Sequence, residues 1–352
     1  METQDKLQDK LKVAVIGLGK MGIIHTALVN MIPESRLAAV ADINKQLATY
    51  VRQAGLKAPF YSDVDKMLTE VKPDAALICT PAAANLPVAE QCLKYGLHVF
   101  AEKPLAHTLE AARRMVALAA EKKVVNATGY LLSQMALCKK AKALLADGVV
   151  GRPFRYRSSF YTTEVFSRKK GWYYDKAQSG GGVVINVGSH LLYLLYAYFG
   201  LPANVVARIG FPYSIVEDTA TALFEYPDGM TGTFDVSWSL PGYRLPYMEL
   251  IVEGDNGTLE LNNDYVKLYL YKAAKGYPKD FTTIHKIDMP STSRFELGAE
   301  GLYEEDQDFV RACRAGTAPA VTWADGFAVQ RMIEAIYRSA ERKAAVTLDE
   351  VK

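Results

Sequence analysis

Cysteine is scarce in this sequence, and charge of one sign is nowhere in clear excess. The four cysteines, Cys79, Cys92, Cys138 and Cys313, contain no C-x-x-C pair, which favours reduced thiols over a disulfide framework or a zinc site. The five histidines show no metal-ligand spacing either, so no metal is expected. Lysine plus arginine number 41 and aspartate plus glutamate 39, a net charge of +2. This balance argues against nucleic acid or an anionic membrane as a partner.

Long hydrophobic runs are also missing. The longest apolar runs look too short to span a bilayer. Residues 1–12 are polar and of mixed charge, and they lack the apolar core of a signal peptide. A cytoplasmic protein without a membrane partner is therefore expected. A chain of 352 residues, half of them hydrophobic, is expected to fold as two domains.

A glycine-rich motif stands near the start of the chain. Residues 12–16 predict a buried strand, and Gly17-Leu-Gly19-Lys-Met21-Gly22 follows directly, with an apolar helix pattern behind it. Such glycines permit a tight turn, close approach of a pyrophosphate and close helix packing. The helix start then offers free N–H groups to the phosphates. The motif predicts dinucleotide binding, with these glycines and Met21 at the cofactor.

Asp42 follows the second predicted strand, residues 36–41, and lies 20 residues after Gly22. Its carboxylate is placed to accept hydrogen bonds from the ribose hydroxyls and would repel a 2′-phosphate, which favours NAD over NADP. The nearby Lys45 leaves NADP open as a second choice. A turn or helix-cap role for Asp42 is the alternative interpretation.

Short apolar strands and helices continue to alternate up to residue 130. Thr80-Pro81 ends the third buried strand, residues 75–79, where Thr80 and Pro81 either contact the cofactor or simply form a turn. Alternation of this kind predicts an α/β fold, a doubly wound parallel Rossmann sheet with both faces covered. We assign residues 1–130 to this dinucleotide-binding domain.

Lys103 follows a further predicted strand, His98-Val-Phe-Ala-Glu-Lys-Pro104. Pro104 ends the strand, because proline removes a ladder donor and restricts the preceding residue. Lys103 therefore stands at the carboxyl end of a parallel strand, where open α/β sheets bind ligands. A surface lysine at a strand exit is the alternative.

The pattern changes after residue 130. Residues 219–226 and 230–238 alternate in polarity and flank the turn Pro227-Asp-Gly229, which predicts a hairpin. Further strands are predicted up to residue 271, and helices at 302–314 and 323–342 close the chain. We expect an α+β domain over 131–352 with a large open antiparallel sheet.

The stretch from Trp172 to His190 has the highest density of candidate catalytic and binding residues. A helix is predicted from Gly182 to Gly200, apolar nearly all round and therefore buried. Asn186 and His190 are four residues apart and share a face. They form either a satisfied core pair or, with the glycine run before them allowing close approach of a ligand or loop, a catalytic pair.

These motifs resemble the glucose–fructose oxidoreductase, inositol dehydrogenase and MocA (Gfo/Idh/MocA) family, and the likeness covers nearly the whole chain. The matching motifs are Gly17-Leu-Gly-Lys-Met-Gly22, Thr80-Pro81, Glu102-Lys103-Pro104, and Gly180-Gly-Gly followed by Gly188-Ser-His190. The resemblance implies hydride transfer between NAD(P) and a hydroxyl or ketone of a sugar, sugar derivative or cyclitol. It also implies an open-faced second sheet that pairs copies into a homodimer or homotetramer.

The resemblance assigns roles to individual residues. Lys103 would bind cofactor and substrate, with Glu102 beside the cofactor. His190 would be the acid/base, with Asn186 beside it in the catalytic and substrate site. Tyr130 and Trp172 are further expected substrate contacts.

Asn186 departs from the family pattern, which usually has aspartate there. An aspartate would raise the pKa of the histidine, whereas asparagine can orient the ring without adding charge. The arginine often seen after Tyr130 is also missing. The Asn form looks like the branch that acts at C3 of nucleotide-linked amino sugars or uronic acids, where Arg168, Lys169 and Lys170 would meet a diphosphate. A solvated charge run is the equal alternative for these three residues.

Two classes of function therefore stand side by side. One is an NAD(P)-dependent dehydrogenase or reductase acting on CH–OH groups. The other is an NAD-binding sensor of the same fold without turnover, which the absence of the aspartate would suit. Retention of both Lys103 and His190 favours the enzyme.

Overall fold

A computed structural model describes residues 10–53, 55–243, 245–290 and 301–352 of the chain. These residues form two compact units. The first contains the described residues within Met1–Leu131 and Phe295–Phe327, and the second those within Leu132–Arg294 and Ala328–Lys352. The predicted domain bounds, 1–130 and 131–352, rest on sequence patterns and stay a prediction. The described segment 301–327 lies far along the chain but belongs to the first unit.

The first unit is built on a six-stranded sheet of order β3-β2-β1-β4-β5-β6, in which every pairing is parallel. This confirms the predicted Rossmann sheet. Its strands are β1 (Leu11–Ile16), β2 (Ser35–Ala41), β3 (Phe60–Tyr61), β4 (Ala75–Ile78), β5 (His98–Glu102) and β6 (Asn126–Gly129). Helices cover both faces, so the central strands read as unbroken apolar runs instead of alternating ones.

The helices of the first unit are α1 (Lys20–Met31), α2 (Leu47–Gln53), α3 (Val64–Val71), α4 (Ala82–Lys94), α5 (Leu109–Lys122) and α9 (Leu302–Ala315). The helix α4 begins directly after Pro81 and carries Pro87 inside it. The helix tolerates Pro87 although proline cannot donate to the carbonyl four residues back. α9 packs against α1 and β6 and so brings residues from late in the sequence to the first sheet.

The second unit contains a nine-stranded sheet of order β14-β13-β12-β11-β7-β10-β9-β8-β15. Its strands are β7 (Pro153–Tyr161), β8 (Asn204–Gly210), β9 (Thr219–Glu225), β10 (Thr231–Ser237), β11 (Tyr247–Gly254), β12 (Gly257–Asn262), β13 (Tyr265–Leu270), β14 (Asp280–His285) and β15 (Val346–Thr347). The expected antiparallel sheet is in fact mixed, because β7 and β10 run parallel in the middle of it. All other pairings described in this sheet are antiparallel, including the predicted hairpin of β9 and β10.

The second unit also contains helices, of which Ala136–Ala146 packs against β12 and β13 and Ser189–Phe199 against β7. They are α6 (Ala136–Ala146), the short α7 (Lys176–Ser179) and α8 (Ser189–Phe199), while α10 (Trp323–Arg342) starts in the first unit and continues in the second. On the strands β9 and β11, buried residues alternate with more exposed ones, as the sequence pattern predicts for a sheet with one covered face.

One helical stretch, Lys176–Phe199, is long and apolar enough by length and composition to cross a membrane, although its apolar runs look too short for this in the sequence. Within it, 67% of the most apolar window is buried inside the protein. Packing in the core of the second unit accounts for this composition.

Candidate active site

The glycine-rich loop joins β1 to α1 at the carboxyl edge of the first sheet. Gly17 has φ +92°, and a Cβ there would lie 2.7 Å from the carbonyl oxygen of Cys79. A Cβ on Gly22 would lie 1.8 Å from the carbonyl oxygen of Gly17. Gly19 is different, because a Cβ there would meet nothing within 4 Å. Gly17 and Gly22 are therefore required by the fold. Gly19 faces open space, which leaves room for a ligand.

Gly19 is also the residue that precedes α1, and no side chain caps this helix start. Met21, in the first turn, is half-buried. Uncapped N–H groups at a helix start, next to a loop that leaves room for a ligand, form an anion site suited to the pyrophosphate of a dinucleotide. The residues present thus fit the predicted cofactor.

Asp42 ties this loop to the end of β2. Its Oδ2 accepts a hydrogen bond of 2.7 Å from the Leu18 N–H, and its Oδ1 accepts one of 2.8 Å from the Asn44 N–H. The second bond is the turn interaction considered for Asp42 in the sequence. Each carboxylate oxygen keeps a further lone pair, so a contact to ribose hydroxyls is compatible with the turn and stays a prediction.

Thr80 and Pro81 lie between β4 and α4. The Thr80 hydroxyl donates to Asn85 Oδ1 at 2.9 Å. The Asn85 amide in turn donates to the carbonyl oxygens of Pro104 and Leu105 at 3.1 and 3.2 Å. Asn85, which sequence reasoning missed, thereby links the end of β4 to the chain that follows Lys103.

Lys103 directly follows β5, as predicted, and is half-buried. Its backbone N–H donates to Glu102 Oε2 at 2.9 Å. The Glu102 side chain is buried at the carboxyl end of β5. Its carboxylate thus fixes the backbone from which the Lys103 side chain extends.

The other oxygen of Glu102 contacts a histidine that sequence reasoning also missed. His25, fully buried on α1, places Nε2 2.9 Å from Glu102 Oε1. Its Nδ1 lies 2.8 Å from Asp306 Oδ1, on α9. The available signal was a histidine in a mostly apolar helix pattern, three residues after Gly22.

The pKa of His25 reflects these contacts. Burial alone would lower it, but the negative charge of Asp306 and the hydrogen bonds to Asp306 and Glu102 outweigh that effect. The result is a pKa raised well above its ordinary value of 6.5. The two carboxylates therefore favour the protonated form of the His25 ring.

In the second unit, His190 and Asn186 lie on the predicted buried helix. The helix begins at Val183, passes through a π turn at Val184–Gly188 and ends at Phe199. Asn186 is half-buried within this π turn, and His190 is buried in the first turn of α8. π turns are frequent at functional sites; whether Asn186 orients His190 stays a prediction.

A buried carboxylate holds the start of this helix. Glu217 Oε1 accepts N–H bonds from Gly182 at 2.8 Å and from Val184 at 3.1 Å, and the Tyr337 hydroxyl donates to the same oxygen at 2.8 Å. A Cβ on Gly182 would lie 2.1 Å from the Glu217 carbonyl oxygen, so the predicted close approach at this glycine run is to the protein's own backbone. Neither Glu217 nor Tyr337 carries a signal in the sequence.

The remaining predicted residues occupy different surroundings. Tyr130 is buried, and Trp172 is half-buried with its ring stacked on Tyr173 at 3.9 Å. The three basic residues Arg168, Lys169 and Lys170 are all exposed, and Lys169 donates to the Glu164 carbonyl. Contacts of these residues to a substrate stay predictions.

Both parts of the chain match sequence profiles of one known protein family. Residues 11–130 match the sequence profile of the oxidoreductase family with an NAD-binding Rossmann fold, GFO_IDH_MocA. Residues 138–260 match the GFO/IDH/MocA C-terminal domain. The first profile covers the strands of the six-stranded sheet, and the second covers part of the nine-stranded sheet.

Two named relatives align along nearly the full length. The chain is 24% identical to myo-inositol 2-dehydrogenase of Thermotoga maritima, over 97% of this chain and 99% of the relative. It is 26% identical to D-apiose dehydrogenase of Paraburkholderia graminis, over 96% and 90%. Among solved structures, GenD2 from gentamicin A biosynthesis in complex with NAD is 28% identical, with a TM-score of 0.81 over 97% of both chains.

Proposed function

The chain belongs to the Gfo/Idh/MocA family of NAD-binding oxidoreductases, and from this we propose that it transfers a hydride between NAD(H) and one secondary hydroxyl or ketone of a sugar, sugar derivative or cyclitol. The single observation that carries the proposal is the position of Lys103 directly after β5 of the Rossmann sheet, with its backbone fixed by the buried Glu102. The carboxyl edge of such a sheet is where a dinucleotide and its substrate bind.

Oxidation of a hydroxyl requires a base that removes the hydroxyl proton and a positive charge that stabilises the oxygen as negative charge develops on it. NAD, when bound, accepts the hydride from the substrate carbon. His190 takes the proton of the substrate hydroxyl, because a neutral imidazole is abundant near pH 7. Lys103 stabilises the developing negative charge on that oxygen, because its compact ammonium is a strong donor. An assignment of Lys103 as the base would instead require its pKa to fall by about 3 units from about 10.4.

The substrate class follows the named relatives, one acting on a cyclitol and the other on a sugar. Asn186 in place of the family aspartate keeps a nucleotide-linked sugar oxidised at C3 as the second candidate. In that case a diphosphate would meet the exposed Arg168, Lys169 and Lys170.

The assembly and location belong to the same proposal. A homodimer or homotetramer would form through the uncovered face of the second sheet, where Arg155 and Arg157 pair with Glu253 at 3.2 and 3.6 Å. The partner is a small molecule and not nucleic acid or a membrane, and the compartment is the cytoplasm.

A substrate screen tests the proposal. Purified protein is incubated with NAD and a panel of cyclitols, free sugars, glycosides and nucleotide sugars, and formation of NADH is followed by absorbance. We expect turnover of one of these classes, a loss of about a hundredfold or more in kcat for His190→Ala, and residual activity for Lys103→Arg.

Binding of NAD provides the control, because neither His190 nor Lys103 supplies the phosphate site and both variants should keep wild-type affinity. Binding of NAD without turnover of any panel member would favour the sensor. Wild-type kcat in His190→Ala on the true substrate would refute the assignment of the base.

A further inference from the structure

Glu305 is a buried carboxyl group close to Glu102. It lies on α9 with 5% of its surface exposed, and neither side-chain oxygen has a hydrogen-bond partner among the described residues. One oxygen each from Glu305 and Glu102 and a ring nitrogen of His25 lie within 4.8 Å of one another. A buried ionised carboxylate without a partner is costly, so something must neutralise Glu305.

The protons of the neighbouring groups can be assigned from distances. His25 has a carboxylate within 2.9 Å of each ring nitrogen. A neutral imidazole would turn a lone pair toward one of these carboxylates, whereas an imidazolium donates to both. His25 therefore carries one positive charge between the negative charges of Asp306 and Glu102.

A charge count then follows for the cluster of His25, Glu102, Glu305 and Asp306. With Glu305 protonated, the cluster holds one positive and two negative charges, leaving one net negative charge beside Lys103. With Glu305 ionised, two net negative charges would stand in a buried volume. The first arrangement matches the single ammonium of Lys103, and it is the cheaper one in a medium of low polarity.

We propose, on the basis of the function proposed above, that Glu305 is a protonated acid that adds no charge to the cluster, and that His25 and Asp306 are positioning residues. Together they hold Glu102 as the single net negative charge that fixes the Lys103 backbone and keeps its side chain an ammonium. They act on the reaction through Glu102 and Lys103 and do not touch the substrate themselves.

The groups that face this cluster support the assignment. Burial and the nearby Glu102 raise the pKa of Glu305 well above its ordinary value, against the opposing charges of His25 and Lys103. The thiol of Cys79, just after β4, also faces the cluster, and burial raises its pKa to about 12, so it stays neutral. No further charge is needed to balance the site.

The test measures the pKa of Lys103 directly and does not depend on turnover. The full-length protein is labelled with trace acetic anhydride between pH 6 and pH 11 (about the range that brackets a lysine pKa), and acetylation of Lys103 is quantified by mass spectrometry. Glu102→Gln removes the proposed net charge and should lower this pKa by about one unit or more. Glu305→Gln replaces a neutral acid by a neutral amide of the same shape and should leave it unchanged.

Glu304→Gln is the matched control, because it removes one charge from the same helix while its amide oxygen can still accept from the Gly301 N–H. It should also leave the pKa of Lys103 unchanged. If Glu305→Gln lowers the pKa of Lys103 as much as Glu102→Gln does, Glu305 is ionised in the wild type and the proposal is refuted.

A second measurement examines His25 and a competing occupant. Nitrogen NMR of labelled histidine should show His25 doubly protonated at neutral pH, with the signal assigned by its loss in His25→Gln. A neutral His25 would overturn the charge count. So would a divalent cation that co-purifies with the wild type, is absent from Glu305→Gln and is removed by a chelator, because that ion would then balance the carboxylates.

Activity separates this inference from the function itself. If a substrate is turned over, Glu305→Gln should keep wild-type kcat and pH profile, while Asp306→Asn should lower kcat more than it raises KM. If no substrate is found, the labelling and NMR results still decide the protonation of Glu305 and His25. A failed substrate screen would thus count against the proposed function alone.

Discussion

Tyr337 donates its hydroxyl hydrogen to Glu217 Oε1 over 2.8 Å, so a tyrosine near the end of the chain holds the carboxylate that caps the helix of His190. The same oxygen accepts the N–H groups of Gly182 and Val184. Burial raises the pKa of Glu217, while these bonds oppose the rise. The start of the helix that carries His190 thus depends on one buried acceptor.

Removal of this acceptor should destabilise the second unit. Glu217→Ala leaves three buried donors without a partner, and we expect it to lower the free energy of unfolding by about 2–4 kcal/mol. Tyr337→Phe removes one of the three bonds and should cost about 1 kcal/mol. Urea denaturation measures both, and an equal loss in the two variants would show that the N–H groups of Gly182 and Val184 do not depend on Glu217.

Asp42 should set the preference for NAD. Asp42→Ser removes the charge that repels a 2′-phosphate but keeps a hydroxyl near the Leu18 N–H, so the ratio of the NADP and NAD dissociation constants should fall toward one. Ile43→Ser, at a neighbouring side chain that is 92% exposed, is the control for general disturbance of the turn. Tighter binding of NADP than of NAD by the wild type would contradict the prediction.

Gly19 and Gly22 should respond differently to the same substitution. Gly22→Ala forces a Cβ against the Gly17 carbonyl and should lower stability by about 1–3 kcal/mol. Gly19→Ala meets no atom of the protein and should leave stability nearly unchanged. It should instead weaken NAD binding by about tenfold, equivalent to about 1.4 kcal/mol, because the added methyl enters the space for the pyrophosphate. Thermal denaturation and calorimetric NAD titration separate the two effects.

Asn186→Asp should shift the acidic limb of the pH–rate profile. A carboxylate in the π turn would stabilise a protonated His190 and raise its pKa, so the rise in kcat with pH should occur at a higher pH than in the wild type. Asn186→Ser, which adds no charge, is the control. An unchanged profile in Asn186→Asp would mean that residues 186 and 190 do not interact.

The free energy of unfolding should decline as pH rises above the ordinary pKa values of Glu305 and His25. Glu305 has a folded pKa raised well above 4.5 and His25 one raised well above 6.5. For both, the folded chain keeps a proton that the unfolded chain releases. This stabilisation is complete below the unfolded pKa and is lost as pH rises through the folded one. Each proton contributes a slope of up to about 1.4 kcal/mol per pH unit.

Denaturation midpoints measured from about pH 5, just above the unfolded pKa of a glutamate, to about pH 9 check this slope. Glu305→Gln removes one of the two protons and should give a shallower decline, with Glu304→Gln parallel to the wild type. A stability of the wild type that rises with pH across this range would contradict both protonation assignments.

The first sheet was predictable from sequence because its information is local. Buried parallel strands read as unbroken apolar runs, and the spacing from Gly17 to Gly22 carries its own steric reason. The parallel pairing of β7 with β10 was not predictable, because alternation along each strand shows which face is buried but not which way a distant partner runs. The antiparallel pattern of its neighbours therefore misled the prediction.

The residues of the candidate site also fall into a predictable group and an unpredictable group. Lys103 and His190 stand in motifs that can be recognised from adjacent residues. His25 and Asp306 are 281 positions apart, and nothing in a single sequence signals that a histidine on the first helix meets an aspartate near the end of the chain. The sequence also gives no signal that Glu305 is buried, because an acidic residue in the first turn of a helix is ordinarily a favourable surface charge.

The placement of segment 301–327 in the first unit has a consequence for the order of synthesis. During translation the Rossmann strands emerge first, yet Asp306 and Trp323 follow only after almost all of the second sheet has been made. Trp323 is fully buried, and its indole N–H donates to the Ala127 carbonyl at 2.9 Å. A nascent chain that stops at residue 131 therefore has its six strands but lacks part of their core and one of the two carboxylates that contact His25. The dinucleotide-binding unit can reach its final form only once the ribosome has nearly finished the chain.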